Sequence, residues 1–209
     1  MITYSILAVT VVFSLIGFRD RAFLNRYMFN PWRVYNNRNE WYTVLTHAFL
    51  HVDYTHLFFN MFALYSIGLP LEQEIFPAYF GPHAPYFYGL LYFGGIVVSS
   101  VPAYEKHKHD VIYSAVGASG AIFAVLFSFI LINPTATLGI MFLPIPIPAF
   151  VLGAIYLVAE WYMGKRGKTN IGHDAHFWGG IFGIVFTILL RHEFIQEFYY
   201  HILAFFHHE

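Results

Sequence analysis

The chain has 209 residues, 58% hydrophobic and 21% aromatic, with only 11% charged against about 25% in an average soluble domain. That balance excludes an ordinary water-soluble domain, and a mean hydropathy of +0.55 points to a domain built in lipid. With 11 Lys+Arg against 12 Asp+Glu there is no single-sign field of the kind a nucleic-acid partner would need, and the lack of cysteine leaves hydroxyl, imidazole and carboxyl groups to do any chemistry.

An apolar run of roughly 20 residues crosses the hydrocarbon core as a helix. Six such runs can be drawn, giving an all-α membrane protein: about Ile2 to Phe18, Tyr54 to Leu71, Pro85 to Tyr104, Ala115 to Ile132, Pro146 to Gly164 and His173 to Leu190. The first is expected to be a retained span, not a cleaved signal, because no Lys or Arg precedes Arg19. Arg19 to Asp53 is too long for a simple hairpin connection, and Trp32, Tyr35, Trp41 and Tyr42 suit it to headgroup depth. Compact breaks follow at Pro77 to Pro82, Glu105 to Asp110, Asn133 to Pro148 with four prolines, and Lys165 to Gly172. Glu193 to Phe206 is short and amphipathic, a surface helix. Taken together this is one domain over 1–209, with an interfacial loop at about 19–53 and a tail at about 192–209.

Polar groups inside such runs are expensive and therefore mark candidate function. The second run opens HAFLHVDYTHLFFN, in which His56 and Asn60 are i, i+4 and can donate toward one point; interhelical glue is the alternative for this pair alone. The fourth run carries Gly117-Ala118-Ser119-Gly120-Ala121 near its start. A serine among small residues is usually a packing residue, but the first turn of a helix has unused N–H groups suited to a developing oxyanion. The sixth begins His173-Asp174-Ala175-His176-Phe177-Trp178-Gly179-Gly180, with Gly183 completing a GxxxG face toward which His176 points. A close approach of these two helices would bring imidazole and hydroxyl together. Asp174 is two residues from His176 and does not share its face, so a dyad is expected, not a triad. Glu72, roughly four turns beyond His56, suits a cap or salt bridge.

In order and spacing, HxxxHxxxxHxxxN from His47 to Asn60, GxSG at Gly117 to Gly120 and AHxxGxxxG at Ala175 to Gly183 resemble the rhomboid family of intramembrane serine proteases. The resemblance implies a six-helix bundle, Ser119 as nucleophile, and His176 as general base and acid. It also implies an oxyanion hole of His56, Asn60 and the Ser119 N–H. Gly117 and Gly120 would allow tight backbone geometry, Phe123 would lie against the catalytic histidine, Gly179 would admit the sixth helix to the fourth, and Glu72 would be a structural acid. No metal or cofactor is implied, and the partners would be transmembrane protein substrates and the bilayer. The family often carries a Trp-Arg pair in the first connection, where this chain reads Glu40-Trp41-Tyr42-Thr43.

Ten of the 11 basic residues fall in the first, third and fifth connections. By the positive-inside rule that side, which holds Ser119, is cytoplasmic. Bacterial rhomboids usually turn the serine-bearing end outward, so charge and family give opposite orientations; the family also implies a bacterial inner membrane. Two other functions compete. An oxidase could bind iron or haem through His47, His51, His56, His173 and His176, and a non-cutting rhomboid relative could bind membrane proteins, although such members usually lack the serine or the histidine and this chain has both.

Overall fold

The computed structural model describes residues 1–140, 143–166 and 172–207. In chain order the elements are α1 (Ile2–Arg19), α2 (Arg21–Tyr27), α3 (Pro31–Asn36), α4 (Thr43–Thr46), α5 (Tyr54–Ala63), α6 (Phe76–Phe80), α7 (Ala84–His107), α8 (Ser119–Ile132), β1 (Thr137–Ile140), β2 (Leu143–Pro148), α9 (Ala149–Arg166), α10 (His173–Leu190) and α11 (Glu193–His207). Among the described residues three helical runs are long and apolar enough to cross a membrane: Ile2–Arg19, Tyr54–His107 and His173–Leu190. Ser119–Ile132 is a shorter apolar helix. The middle run folds back at Gly81, whose φ of 51° is open to glycine at little cost, so it forms two legs.

The first leg is longer than its apolar run suggests. Between α5 and α6 the helix continues through two wide turns, Leu64–Gly68 and Leu71–Ile75, with i to i+5 bonding. Pro70 stands between them; it has no N–H to give to the preceding turn, and a wider turn absorbs that loss. Glu72 lies in the second wide turn and is buried. Its two carboxylate oxygens accept the backbone N–H groups of Ile2 at 2.5 Å and Thr3 at 2.9 Å. Glu72 is thus a cap supplied from another helix to donors at the start of α1 that have no intrahelical partner.

Two other boundaries shift. Residues 115–118 precede the helix: Phe29 and Ala115 exchange backbone hydrogen bonds at 3.0 and 2.8 Å, and α8 starts only at Ser119. The proline-rich break at 133–148 holds an antiparallel hairpin, with Thr137 opposite Pro148, Leu138 opposite Ile147 and Gly139 opposite Pro146. Prolines at every second position remove alternate N–H donors, which a two-stranded ribbon tolerates because only one edge of each strand is paired. Residues 141–142 of that break, and 167–171 of the break at Lys165 to Gly172, lie outside the described residues.

The core sits around α8, which is apolar on every side and buried over most of its length, as expected of a helix enclosed by others. Its contact with α10 is backbone against backbone. A side-chain carbon on Gly179 would overlap the Gly120 carbonyl, and one on Gly183 would overlap the Ala124 carbonyl. One turn further, Thr187 Oγ1 donates to Ser128 Oγ at 2.7 Å. The small residues therefore pair in steps of four along both helices, which lets the axes come close without a side chain between them. Gly183→Ala is expected to force the two backbones apart and to destabilise the protein by about 1–3 kcal/mol; a thermal midpoint in detergent equal to that of wild type would show that the contact is looser than described.

Candidate active site

The stretch that runs into α5 carries His47 and His51 before the helix and His56 and Asn60 within it, and each has a separate place. His47 is buried; its Nδ1 lies 3.1 Å from the Thr43 carbonyl and its ring packs on Phe29. Its own carbonyl accepts the Gly117 N–H at 3.0 Å, so this residue ties the first connection to the segment that leads into Ser119. His51 is fully enclosed, with Nδ1 3.0 Å from Ser14 Oγ of α1. Asp53 caps α5 through its Oδ1, which accepts the His56 N–H at 2.7 Å. That cap starts the helix where His56 and Asn60 share one face.

Gly117 has φ of 124°, and a side-chain carbon there would lie 2.8 Å from His56 Cε1 and 3.1 Å from Nε2. Both the backbone angle and the space exclude a larger residue. The turn delivers Ser119 to the first position of α8, a helix with no side-chain cap. The Ser119 and Gly120 N–H groups stand in the first turn of α8, among the donors that a helix cannot satisfy internally and at the positive end of its dipole.

Ser119 Oγ lies 2.7 Å from His176 Nε2. The imidazole stacks on Phe123 with ring centroids 4.5 Å apart and planes inclined by 3°, and Phe123 in turn meets Tyr156 edge-on at 5.9 Å. His176 Nδ1 lies 3.1 Å from Glu160 Oε1, and His173 Nδ1 lies 2.5 Å from Glu160 Oε2. Asp174 instead pairs with Lys106 at 3.0 Å, in keeping with its place off the His176 face. His56, Asn60, Ser119, Gly120, Phe123 and His176 line one cavity of about 1140 Å³. Within it Asn60 spends one amide N–H on the His56 carbonyl at 2.9 Å and keeps a second donor.

The structure thus brings His56, Asn60, Ser119, Gly120, Phe123 and His176 to one cavity, leaves His51 on Ser14 outside it, and adds, beside His176, Glu160, which the sequence reading passes over. The signal was present: Glu160 is an acid within an apolar run, which membrane burial alone makes notable. Of the histidines proposed as ligands of iron or haem, His51 and His56 meet at 4.7 Å between ring centroids and His173 and His176 at 6.2 Å. Among the described residues the one group that could hold a metal is Glu160, His173 and His176, whose ligand atoms lie within 4.8 Å of one another, and there the carboxylate already engages both rings.

The rhomboid domain family matches residues 38–193. The chain belongs to the rhomboid family. Two relatives from Arabidopsis thaliana are "RHOMBOID-like protein 12, mitochondrial", 29% identical over 74% of this chain and 52% of the relative, and "Rhomboid-like protein 11, chloroplastic", 27% identical over 75% and 55%. "Putative rhomboid protease YdcA" of Bacillus subtilis is 31% identical over 41% of this chain and 38% of the relative. The chain spans about half the length of the plant relatives it matches. This rhomboid is a helical membrane protein. The expectation of a bacterial inner membrane gains no support from relatives named for mitochondria and chloroplasts.

Burial holds the His51 imidazole down to about 3 from its usual 6.5, with His56 nearby adding to the effect and Asp53 opposing it; burial likewise holds His47 down to about 4, against hydrogen bonds to the Thr43 and Val44 carbonyls. Both rings are neutral in the fold and take up a proton below about 6.5 once unfolded. Their contribution to stability is complete above that pH and is lost as pH falls from 6.5 toward 4 and 3. Thermal midpoints in detergent are therefore expected to decline over that window, with a shallower decline in His51→Gln; a flat profile from pH 7 to 4 would contradict buried neutral rings.

Proposed function

We propose that the chain is a serine endopeptidase that cuts single-span membrane proteins in or near the bilayer. In this reading six helices cross the membrane: α1, the leg from Tyr54 to Phe80, α7, α8, α9 and α10. The exposed Tyr35 and Trp41 of the 19–53 segment rest at headgroup depth, and α11 lies along the surface. The observation that carries the proposal is the 2.7 Å approach of Ser119 Oγ to His176 Nε2 within a cavity shared with His56 and Asn60.

The chemistry follows from the atoms present. His176 Nε2 takes the Ser119 proton as Oγ bonds to the substrate carbonyl carbon. The oxygen that becomes negative is met by the Ser119 N–H, the His56 ring and the free Asn60 amide hydrogen, donors already fixed in place by the Asp53 cap and the Gly117 turn. His176 then returns the proton to the departing amine, and the same ring deprotonates the water that hydrolyses the acyl-enzyme. Water reaches the serine through the cavity, a setting in which such polar groups are tolerated at membrane depth. A substrate helix must unwind at the cut, because helical carbonyls are occupied by their own hydrogen bonds, so small and helix-weakening residues are expected there. The presence of both the serine and the histidine, in contact, favours cutting over binding alone.

A serine-directed fluorophosphonate is expected to label the detergent-purified protein once, by intact mass, and to leave Ser119→Ala and His176→Ala unlabelled. Absence of labelling in folded wild-type protein would remove the proposal. Asn60→Ala is expected to slow cleavage of a single-span substrate by up to about 10²- to 10³-fold, the usual loss for one oxyanion donor; unchanged turnover would take Asn60 out of that role.

A further inference from the structure

We infer that Glu160 is a positioning residue for His176, so that the expected pair works as a chain of three, Glu160–His176–Ser119; this rests on the protease reading above. For Nε2 to accept the serine proton, the neutral ring must carry its own proton on Nδ1. Which nitrogen holds it is set by the partner at Nδ1. Here that partner is Glu160 Oε1 at 3.1 Å, and an ionised carboxylate accepts only, so it selects the tautomer that serine activation needs.

Three further observations fit this role. The second carboxylate oxygen is held by His173 Nδ1 at 2.5 Å, so the group cannot swing away from His176. The other nitrogen of His173 is buried and has no partner among the described residues; the polar contact of that ring is with Glu160 alone among the atoms described, as expected of a group that holds the acid in place. Phe123, stacked on the imidazole at 4.5 Å, fixes the ring plane while Glu160 fixes its rotation. Two coordinates of the base are thereby set by two different helices, α8 and α9. An acid 8% exposed in an apolar helix is costly to retain without such partners.

The charge balance in the reaction is simple. A proton passes from Ser119 Oγ to His176 Nε2 while Oγ bonds to the carbonyl carbon, leaving a positive imidazolium and a negative tetrahedral oxygen. Glu160 keeps its negative charge and its proton count throughout, and faces the imidazolium it stabilises. When the C–N bond breaks, the Nε2 proton leaves with the amine and the ring is neutral again. Mere glue between α9 and α10 would use the same hydrogen bonds but would have no influence on the chemical step.

The test combines fluorophosphonate inactivation kinetics with ¹⁵N-histidine NMR of the full chain in detergent. For Glu160→Gln, the maximal inactivation rate is expected to fall by about 10²- to 10⁴-fold with the probe's half-saturating concentration unchanged within about twofold; His173→Gln is expected to fall less. Wild type is expected to show His176, assigned by its loss in His176→Gln, as the Nδ1–H tautomer. An undiminished rate in folded Glu160→Gln, or an Nε2–H tautomer in wild type, overturns the inference. If wild type itself fails to label, the protease reading falls, and the NMR result still decides whether Glu160 sets the tautomer. The wild-type spectrum also serves if Glu160→Gln does not fold.

Discussion

The contact on which the rest of the molecule depends is the one in which two helix backbones touch. Where Gly120 and Ala124 of α8 meet Gly179 and Gly183 of α10, no side chain lies between the axes. In lipid, apolar side chains gain little from leaving their surroundings, so close packing and polar contacts must hold helices together. The Ser119–His176 distance is a by-product of this packing, since both residues stand one short step from the closest approach. The site is therefore held by backbone geometry, with side chains adjusting only the final orientation.

Around that pair the other elements act as braces. Asp53 starts α5 at the position that lets His56 fill the space a side chain at Gly117 would take. His47 and the Phe29–Ala115 exchange hold the segment before Ser119, and Glu72 secures α1 against the first leg. The Asp53 brace is local and exposed, whereas the Glu72 brace joins elements some 70 residues apart through a buried carboxylate, whose hydrogen bonds are costly to leave unmade. A polar cavity can in this way sit in a frame held by bonds from several helices.

Much of this was legible in the sequence because the chemistry is local there. The GxSG stretch, the i, i+4 pair His56 and Asn60, and the GxxxG face beside His176 each lie within a turn or two of helix, and periodicity carries them into space. What was not legible depends on contacts between remote segments. Glu160 belongs to no short motif, and its place beside His176 follows from how α9 packs on α10. The cap that Glu72 supplies to Ile2 and Thr3 spans some 70 residues. The hairpin at 137–148 was hidden by its prolines, which read equally as a plain loop, and the apolar run from Ala115 concealed a non-helical lead-in with a single bridge to Phe29 because residues 115–118 are small or apolar whether helical or not.

The wide turns at Leu64–Gly68 and Leu71–Ile75 set the phase of the first leg. Each adds one residue to a turn and so advances the helix face by about 100° relative to a regular helix. His56 and Asn60 lie before these turns, and Glu72 lies within the second. The leg is in effect a geared shaft: the end that carries His56 and Asn60 and the end that anchors α1 face different neighbours because the wide turns offset them. Loss of a single residue from the first would leave a better-formed helix, but the face that meets Ser119 and the face that caps α1 could no longer both be in register.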